Sequence, residues 1–265
     1  MKPVPFEYSA PESVDGVLAL LGDDAKVLAG GQSLVPLLNF RLARPERIVD
    51  INRIEELAYI RGDDDGSLRI GAGARQAALE RSQLVAGRWP LLSQAVRHVG
   101  HPQIRSRGTV CGSVAHADPT AELPVALTAL DARFHVRRGG GARTLDAAEL
   151  FAGPLTTTLA ADELLAEIEV PALPAGARCG FSEHARTHGD FAVAGAAVVR
   201  APSHAAIALL GAGWTPLRAP AAERALAEGA PAEEVAALAA EPVEDAHRAA
   251  LTRALVRQAV EEAGA

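Results

Sequence analysis

The sequence predicts an α+β protein built in three parts, and three observations carry that reading. Strand-like and helix-like segments alternate through residues 1–56. Residues 173–178, with a proline, a glycine and alanines, read as a linker that closes a second mixed region. Beyond them, apolar runs at 191–200 and 205–211 are joined by a short turn and read as adjacent buried strands, with helix to follow. The expected divisions are therefore 1–56, 57–174 and 175–265.

Each element has its own signal. Residues 4–8 suggest a short strand, confined to a sheet edge by Pro5. Ser13 is placed to cap a helix whose Val17, Leu18, Leu20 and Leu21 give an apolar face. A strand over 26–29 ends at Gly30-Gly31, and a second helix begins near Ser33 with Leu34, Leu37 and Leu38 on one side. Residues 47–51 form the next strand. Segments 57–61 and 68–71 flank a turn at 62–67, whose aspartates and glycine suit a hairpin. Helices are expected over 75–84 and 89–99. Residues 100–122 are rich in Gly, Pro, His and Ser and lack periodicity, which predicts a long loop of the kind that carries function. Helix 124–130, strand 132–137, a turn at 138–142 and strand 164–170 complete the second part. In the third, the Ala-rich run 219–240 contains leucines and reads as surface helices, and Leu251, Leu255 and Ala259 mark a seam along a final helix.

Composition excludes several functions. The chain is 49% hydrophobic, as a folded globular protein is, and its 33 acidic against 26 basic residues give a charge of −7. That balance argues against nucleic-acid binding. No apolar stretch is long enough to span a bilayer, and residues 1–8 lack the apolar core of a signal peptide, so a cytoplasmic setting is expected. Two cysteines, Cys111 and Cys179, are too few for an iron–sulfur cluster or a structural zinc in this chain.

Two small-residue loops stand out. In Ala29-Gly30-Gly31-Gln32-Ser33 the glycines follow a strand and precede a helix beginning at Leu34, where backbone amides can approach an anion. A plain turn with Ser33 as helix cap accounts for the same residues. The second loop, from Arg105 through Arg107 and Gly108 to Thr109-Val110-Cys111-Gly112-Ser113, places hydroxyls and small residues beside two arginines. Downstream, Asp118-Pro119 suits a helix cap and first helical position. Such a pair of loops can hold opposite sides of a diphosphate. The three-glycine dinucleotide fingerprint and the Gly-Lys-Ser/Thr of a P-loop are both missing from the sequence, which argues against an ordinary doubly wound dinucleotide domain.

The first loop, followed by Pro45 and Ile48-Val49-Asp50-Ile51-Asn52, closely resembles the opening segment of the FAD-binding medium subunits of molybdenum hydroxylases, the carbon monoxide dehydrogenase and xanthine dehydrogenase group. The likeness continues through Gly71-Ala72, Pro102-Gln103-Ile104-Arg105, Gly112-Ser113-Val114-Ala115-His116-Ala117-Asp118-Pro119, Glu122-Leu123-Pro124, Ile168-Glu169-Val170-Pro171 and Gly189-Asp190-Phe191-Ala192. The resemblance implies two α/β subdomains that clasp FAD, then a C-terminal domain with an antiparallel sheet and helices. It also implies that the backbones of both loops bind the pyrophosphate. Asp118 beside Ala117 would meet ribityl or ribose hydroxyls, and Ile104 and Leu165 would line the flavin or adenine region. The implied partners are a molybdopterin-binding large subunit and a small subunit with [2Fe–2S] clusters, in a dimer of heterotrimers. Electrons would pass from the clusters through FAD to an external acceptor. A stand-alone flavin oxidoreductase and a nucleotide-binding or structural subunit that has lost FAD are the alternatives.

Some residues depart from the family or need their own account. Cys111 stands where relatives commonly have glycine; a positive φ there would cost about 1 kcal/mol, and nearby amides and arginines would lower its thiol pKa. Arg105 and Arg107 suit phosphate neutralisation or a partner. Arg41 and Arg44 suit a helix end or a partner surface. His98, His101 and His116 surround the second loop without metal-ligand spacing, and His184, Arg186 and His188 alternate as a surface or contact segment does.

Overall fold

The computed structural model describes residues 1–264, and its three main sheets follow one another along the chain. The first is parallel. Strand β1 (Glu7–Ser9), helix α1 (Val14–Leu18), β2 (Ala25–Leu28), α2 (Leu34–Asn39) and β3 (Arg47–Asp50) assemble in the sheet order β1-β3-β2. Parallel neighbours need a crossover, which the two short helices supply. Ser13 caps α1, its hydroxyl accepting from the Gly16 amide at 3.2 Å. Since Leu28 lies opposite Asp50, the residues that follow β2 and β3 emerge together at one edge. That edge carries the first glycine-rich loop.

The second sheet is antiparallel. A hairpin of β4 (Ile60–Gly62) and β5 (Leu68–Gly71) turns with Gly66 at φ +86°. Six helices follow: α3 (Gln76–Arg81), α4 (Gln83–Arg88), α5 (Pro90–Val96), α6 (Pro102–Arg107), α7 (Val110–His116) and α8 (Glu122–Ala129). Then come β6 (Arg133–Arg138), β7 (Gly141–Leu145), α9 (Ala147–Leu150), a small hairpin of β8 (Phe151–Gly153) and β9 (Thr156–Thr157), and β10 (Leu164–Val170). The sheet order is β4-β5-β10-β6-β7. Alternation along β10 separates its faces. Ile168 pairs with Ile70 and Phe134 in the core beside Val110 and Val114 of α7. On the other face Arg69 bridges Glu167 at 3.1 Å and Glu169 at 2.9 Å.

The third sheet, β11 (Arg178–Ala185), β12 (Ala192–Ala201), β13 (His204–Leu210) and β14 (Leu217–Arg218), is an antiparallel meander. It precedes α10 (Pro220–Ala227), α11 (Ala232–Ala240) and α12 (Ala246–Glu262). Both faces are covered, so β12 reads as an Ala/Val run interrupted only by Gly195 and Arg200. Ala197 and Val199 join the core shared with the first two sheets, whereas Ala196 and Val198 pack with α10, α11 and α12. The approach of α12 is very close at Gly180, where a Cβ would lie 2.1 Å from the Ala259 carbonyl oxygen. Gly180→Val should therefore lower unfolding free energy by about 1–3 kcal/mol through overpacking. Chemical denaturation checks this, and an unchanged midpoint would show that α12 yields freely.

Several sequence expectations are corrected. Residues 57–61 are not one strand: a 3-10 turn at Glu55–Leu57 precedes β4. The helix expected over 75–84 breaks at Ser82, whose hydroxyl caps α4 by accepting from the Val85 amide at 3.3 Å. The long loop expected over 100–122 contains α6 and α7, each too short to show apolar periodicity; Pro102 starts one and Thr109 caps the other. Asp118 does not cap a helix. It makes a local turn, and α8 begins at Glu122. In α12, Leu251 is only half-buried, and Thr252, Leu255, Val256, Ala259 and Val260 form the buried side.

Candidate functional site

The first loop bridges the end of β2 and the start of α2. Gly31 sits at φ +74°, a conformation that L side chains resist, and its carbonyl accepts from the Val35 amide at 3.0 Å to begin the helix. Ser33 occupies the cap position, but its side chain makes no cap hydrogen bond. Among the described residues, the amides of Gly30, Gly31, Gln32 and Ser33 donate no hydrogen bond within the chain. The Gln32 side chain folds back, its Nε2 donating to the Gly30 carbonyl at 3.2 Å.

The second loop is held from behind. Thr109 pairs with Arg75 in a single antiparallel bridge; Gln76 N–H donates to Gly108 O at 2.9 Å and Val110 N–H to Ala74 O at 3.1 Å. The Thr109 hydroxyl, itself buried, accepts from the Gly112 amide at 3.1 Å and caps α7. Gly112 must stay small, since a Cβ there would lie 2.5 Å from that hydroxyl oxygen.

The two loops meet directly. A Cβ on Gly30 would stand 2.5 Å from the Arg107 carbonyl oxygen, 2.7 Å from Gly108 Cα and 3.0 Å from the Thr109 amide nitrogen. Glycine at position 30 is therefore what lets the loops close on each other. The outcome is a close backbone junction whose first-loop amides are free donors, which fits a pyrophosphate.

The remaining predicted residues differ in burial. Leu34 and Ser113 are half-buried, in α2 and α7. Ala117, at φ +52°, ends α7 in the left-handed region, and its carbonyl accepts from the Leu155 amide at 2.9 Å. Asp118 follows. Its Oδ1 accepts from the Thr120 amide and hydroxyl at 2.8 and 2.7 Å, and Oδ2 has no hydrogen-bond partner among the described residues. Ile104 is 37% exposed on α6. Leu165 does not line an open surface: at 4% exposure it belongs to the core under β10.

Other side chains depart from expectation. Cys111 is not at the centre of a loop; it lies in α7, has no positive φ and is buried, with its thiol 3.7 Å from the Ile70 carbonyl. Burial pushes that thiol pKa up, the reverse of activation. Arg105 does not face solvent or phosphate. It pairs bidentately with Glu80 at 2.8 and 2.9 Å and donates to the carbonyls of Val99 and Gly100. Arg41 and Arg44 each donate to a backbone carbonyl, Arg41 to the distant Lys2 at 3.3 Å and Arg44 to the nearby Arg41 at 3.0 Å. His116 is half-buried, and desolvation lowers its pKa against the pull of Asp118, so the ring is neutral at pH 7. The residues that sequence reasoning missed are Asn52 and Arg75. Parallel pairing of β2 with β3 places Asn52 near Ala29, a signal available from topology; nothing local marks Arg75.

A titrating cluster joins this region to the third sheet. His98 Nδ1 lies 3.1 Å from Glu183 on β11, and that bond raises the His98 pKa against desolvation. Burial of Glu122, aided by Glu183 and Asp118, pushes its carboxyl up to about 8. Both shifts act with one sign. For each group the folded pKa exceeds the unfolded one, so stability is fully present below the unfolded value and lost as pH rises through the folded value. The Glu122 contribution should fall away between pH 4.5 and about 8. Glu122→Gln should flatten the acidic part of that decline, measured as melting temperature against pH; an unchanged slope would contradict it.

Known proteins match this chain over most or all of its length. Residues 4–173 match the family model described as the FAD binding domain in molybdopterin dehydrogenase. The alpha subunit of the 6-hydroxypseudooxynicotine dehydrogenase complex of Paenarthrobacter nicotinovorans is 43% identical over 97% of this chain and 92% of its own. The medium subunit of nicotine 6-hydroxylase from the same organism is 37% identical over 100% of this chain and 99% of its own. A structure of carbon monoxide dehydrogenase from Hydrogenophaga pseudoflava, lacking the Mo-pyranopterin moiety, superposes with a TM-score of 0.93 at 40% identity, covering 100% of this chain and 99% of that one.

Proposed function

The chain belongs to the FAD-binding domain family of molybdopterin dehydrogenases, and on that premise we propose that it relays electrons from the [2Fe–2S] clusters of a small subunit to an external acceptor. Oxidation of the substrate would belong to a molybdopterin-binding large subunit. The complex is read as a dimer of heterotrimers in the cytoplasm. We assign 1–56 and 57–174 to two FAD-binding subdomains and 175–265 to a C-terminal domain.

The observation that supports this best is the seating of Gly30 on the 107–109 backbone, with unpaired amides beside it. The backbones of Ala29, Gly30, Gly31, Gln32 and Ser33 would hold one side of the FAD pyrophosphate, with Leu34 extending that wall. Thr109, Cys111, Gly112 and Ser113 would form the other side, Cys111 contributing its amide and not its thiol. The free Asp118 Oδ2, next to Ala117, is placed to accept from a sugar or ribityl hydroxyl. Ile104 offers apolar surface to the ring system, and Leu165 supports the site from the core. Bound FAD would supply exchange of one or two electrons, which this chain's side chains cannot provide. The chain's own part is to bind, orient and shield.

The test is direct. The purified full chain should show the visible absorbance of a flavin, released as FAD on denaturation. A colourless chain that takes up no added FAD would overturn the reading.

A further inference from the structure

We infer that Asn52 and Arg75 are positioning residues that clamp the two glycine-rich loops together and so preorganise them for the cofactor. This rests on the reading of those loops as the pyrophosphate site. Neither side chain is among the groups assigned to face the pyrophosphate.

The clamp is a continuous chain of hydrogen bonds. Tyr8 donates its hydroxyl to Asp50 at 2.6 Å, and Asp50, 9% exposed, accepts the Asn52 backbone amide at 2.8 Å and its side-chain amide at 2.5 Å. These contacts orient the Asn52 nitrogen, which also donates to the Ala29 carbonyl in the first loop at 2.9 Å. The Asn52 oxygen is thereby left to accept from Arg75, whose guanidinium also donates to the Arg107 carbonyl in the second loop. That carbonyl oxygen is the atom against which Gly30 packs. Arg75 thus holds the partner surface of Gly30, while Asn52 holds the residue before it.

A clamp of this kind acts on affinity. Loops whose amides point at a ligand before it arrives lose less freedom on binding. A planar fork can satisfy two acceptors in fixed directions, and an ammonium in its place keeps the charge without that geometry. The Arg75 to Lys exchange therefore separates bridging from simple attraction for phosphate.

The experiment titrates the full chain with FAD, ADP and riboflavin, in the wild type and in Asn52→Leu, Arg75→Met, Arg75→Lys and the Asn52→Leu/Arg75→Met double variant. Asn52→Ser and Arg75→Gln replace any variant whose far-ultraviolet circular dichroism shows it unfolded. FAD and ADP, which carry the pyrophosphate, should bind about 10- to 100-fold more weakly, as happens when supporting partners of a binding group are removed. Riboflavin affinity should not change. Arg75→Lys should not restore binding, and the double variant should be no weaker than the weaker single one, since each breaks the same clamp. Unchanged FAD affinity, rescue by lysine, or an equal loss for riboflavin would overturn the clamp. If the wild-type chain binds neither FAD nor ADP, the pyrophosphate reading itself fails, and that result is distinct because it needs no substitution.

Discussion

Gly30→Val should yield a folded chain that holds FAD at least about 100-fold more weakly than the wild type. The reason is steric. A side chain at position 30 meets backbone, not flexible side chains: the Arg107 carbonyl, Gly108 Cα and the Thr109 nitrogen all lie within 3.0 Å of the added Cβ. The loops would have to separate, and amides on both sides would lose their common target. Hydrogen bonds to a charged acceptor contribute about 1.5–3 kcal/mol each, and each 1.4 kcal/mol is a factor of about ten in affinity. Loss of two such bonds already reaches a hundredfold. Gly30 has no positive φ, so backbone strain has no part in this, in contrast to Gly31 at φ +74°. Flavin content per chain after purification checks the prediction, and a variant as yellow as the wild type would contradict it.

Trp89→Ala should produce the largest loss of stability. Trp89 is 0% exposed and stands between α4 and α5, its indole nitrogen donating to the Pro171 carbonyl at 2.8 Å. Removing it opens a cavity in the core that also contains Leu91 and Leu92 and takes the donor from that carbonyl, just past β10. The expected cost is about 3–5 kcal/mol, with a further penalty of about 1 kcal/mol or more if the carbonyl finds no water. For a chain of this size the melting temperature should drop by roughly 10 °C. Trp89→Phe keeps most of the volume and should lose much less. Equal losses in the two variants would place the effect on the hydrogen bond and not on packing.

What the sequence made legible follows from how local each signal is. Strand β10 was readable in full because seven apolar or alternating residues end at Pro171. The β12–β13 hairpin was readable because both faces of each strand are buried, leaving long Ala, Val and Leu runs with a short turn between them. The first loop could be located because glycines follow a strand and precede a helix. The facts that close the site were not local. Helices α6 and α7 are six and seven residues long, too brief for periodicity, so they looked like loop. Arg105 resembled a phosphate ligand in sequence, since nothing there announces Glu80 as its buried partner. Cys111 looked strained and activated only while its segment was taken for a loop. Once it turns inward from a helix, burial governs its chemistry. The clamp of Asn52 and Arg75 depends on three segments meeting, which no single stretch of sequence encodes.

The central claim is that two backbone loops of this chain hold FAD by its pyrophosphate. Titration of the apo full chain with FAD and with riboflavin, which lacks the pyrophosphate, tests it most directly. The predicted result is FAD bound at least about 100-fold more tightly than riboflavin, an advantage matching two charge-assisted hydrogen bonds. Equal affinity for the two ligands, or no uptake of FAD, would contradict it.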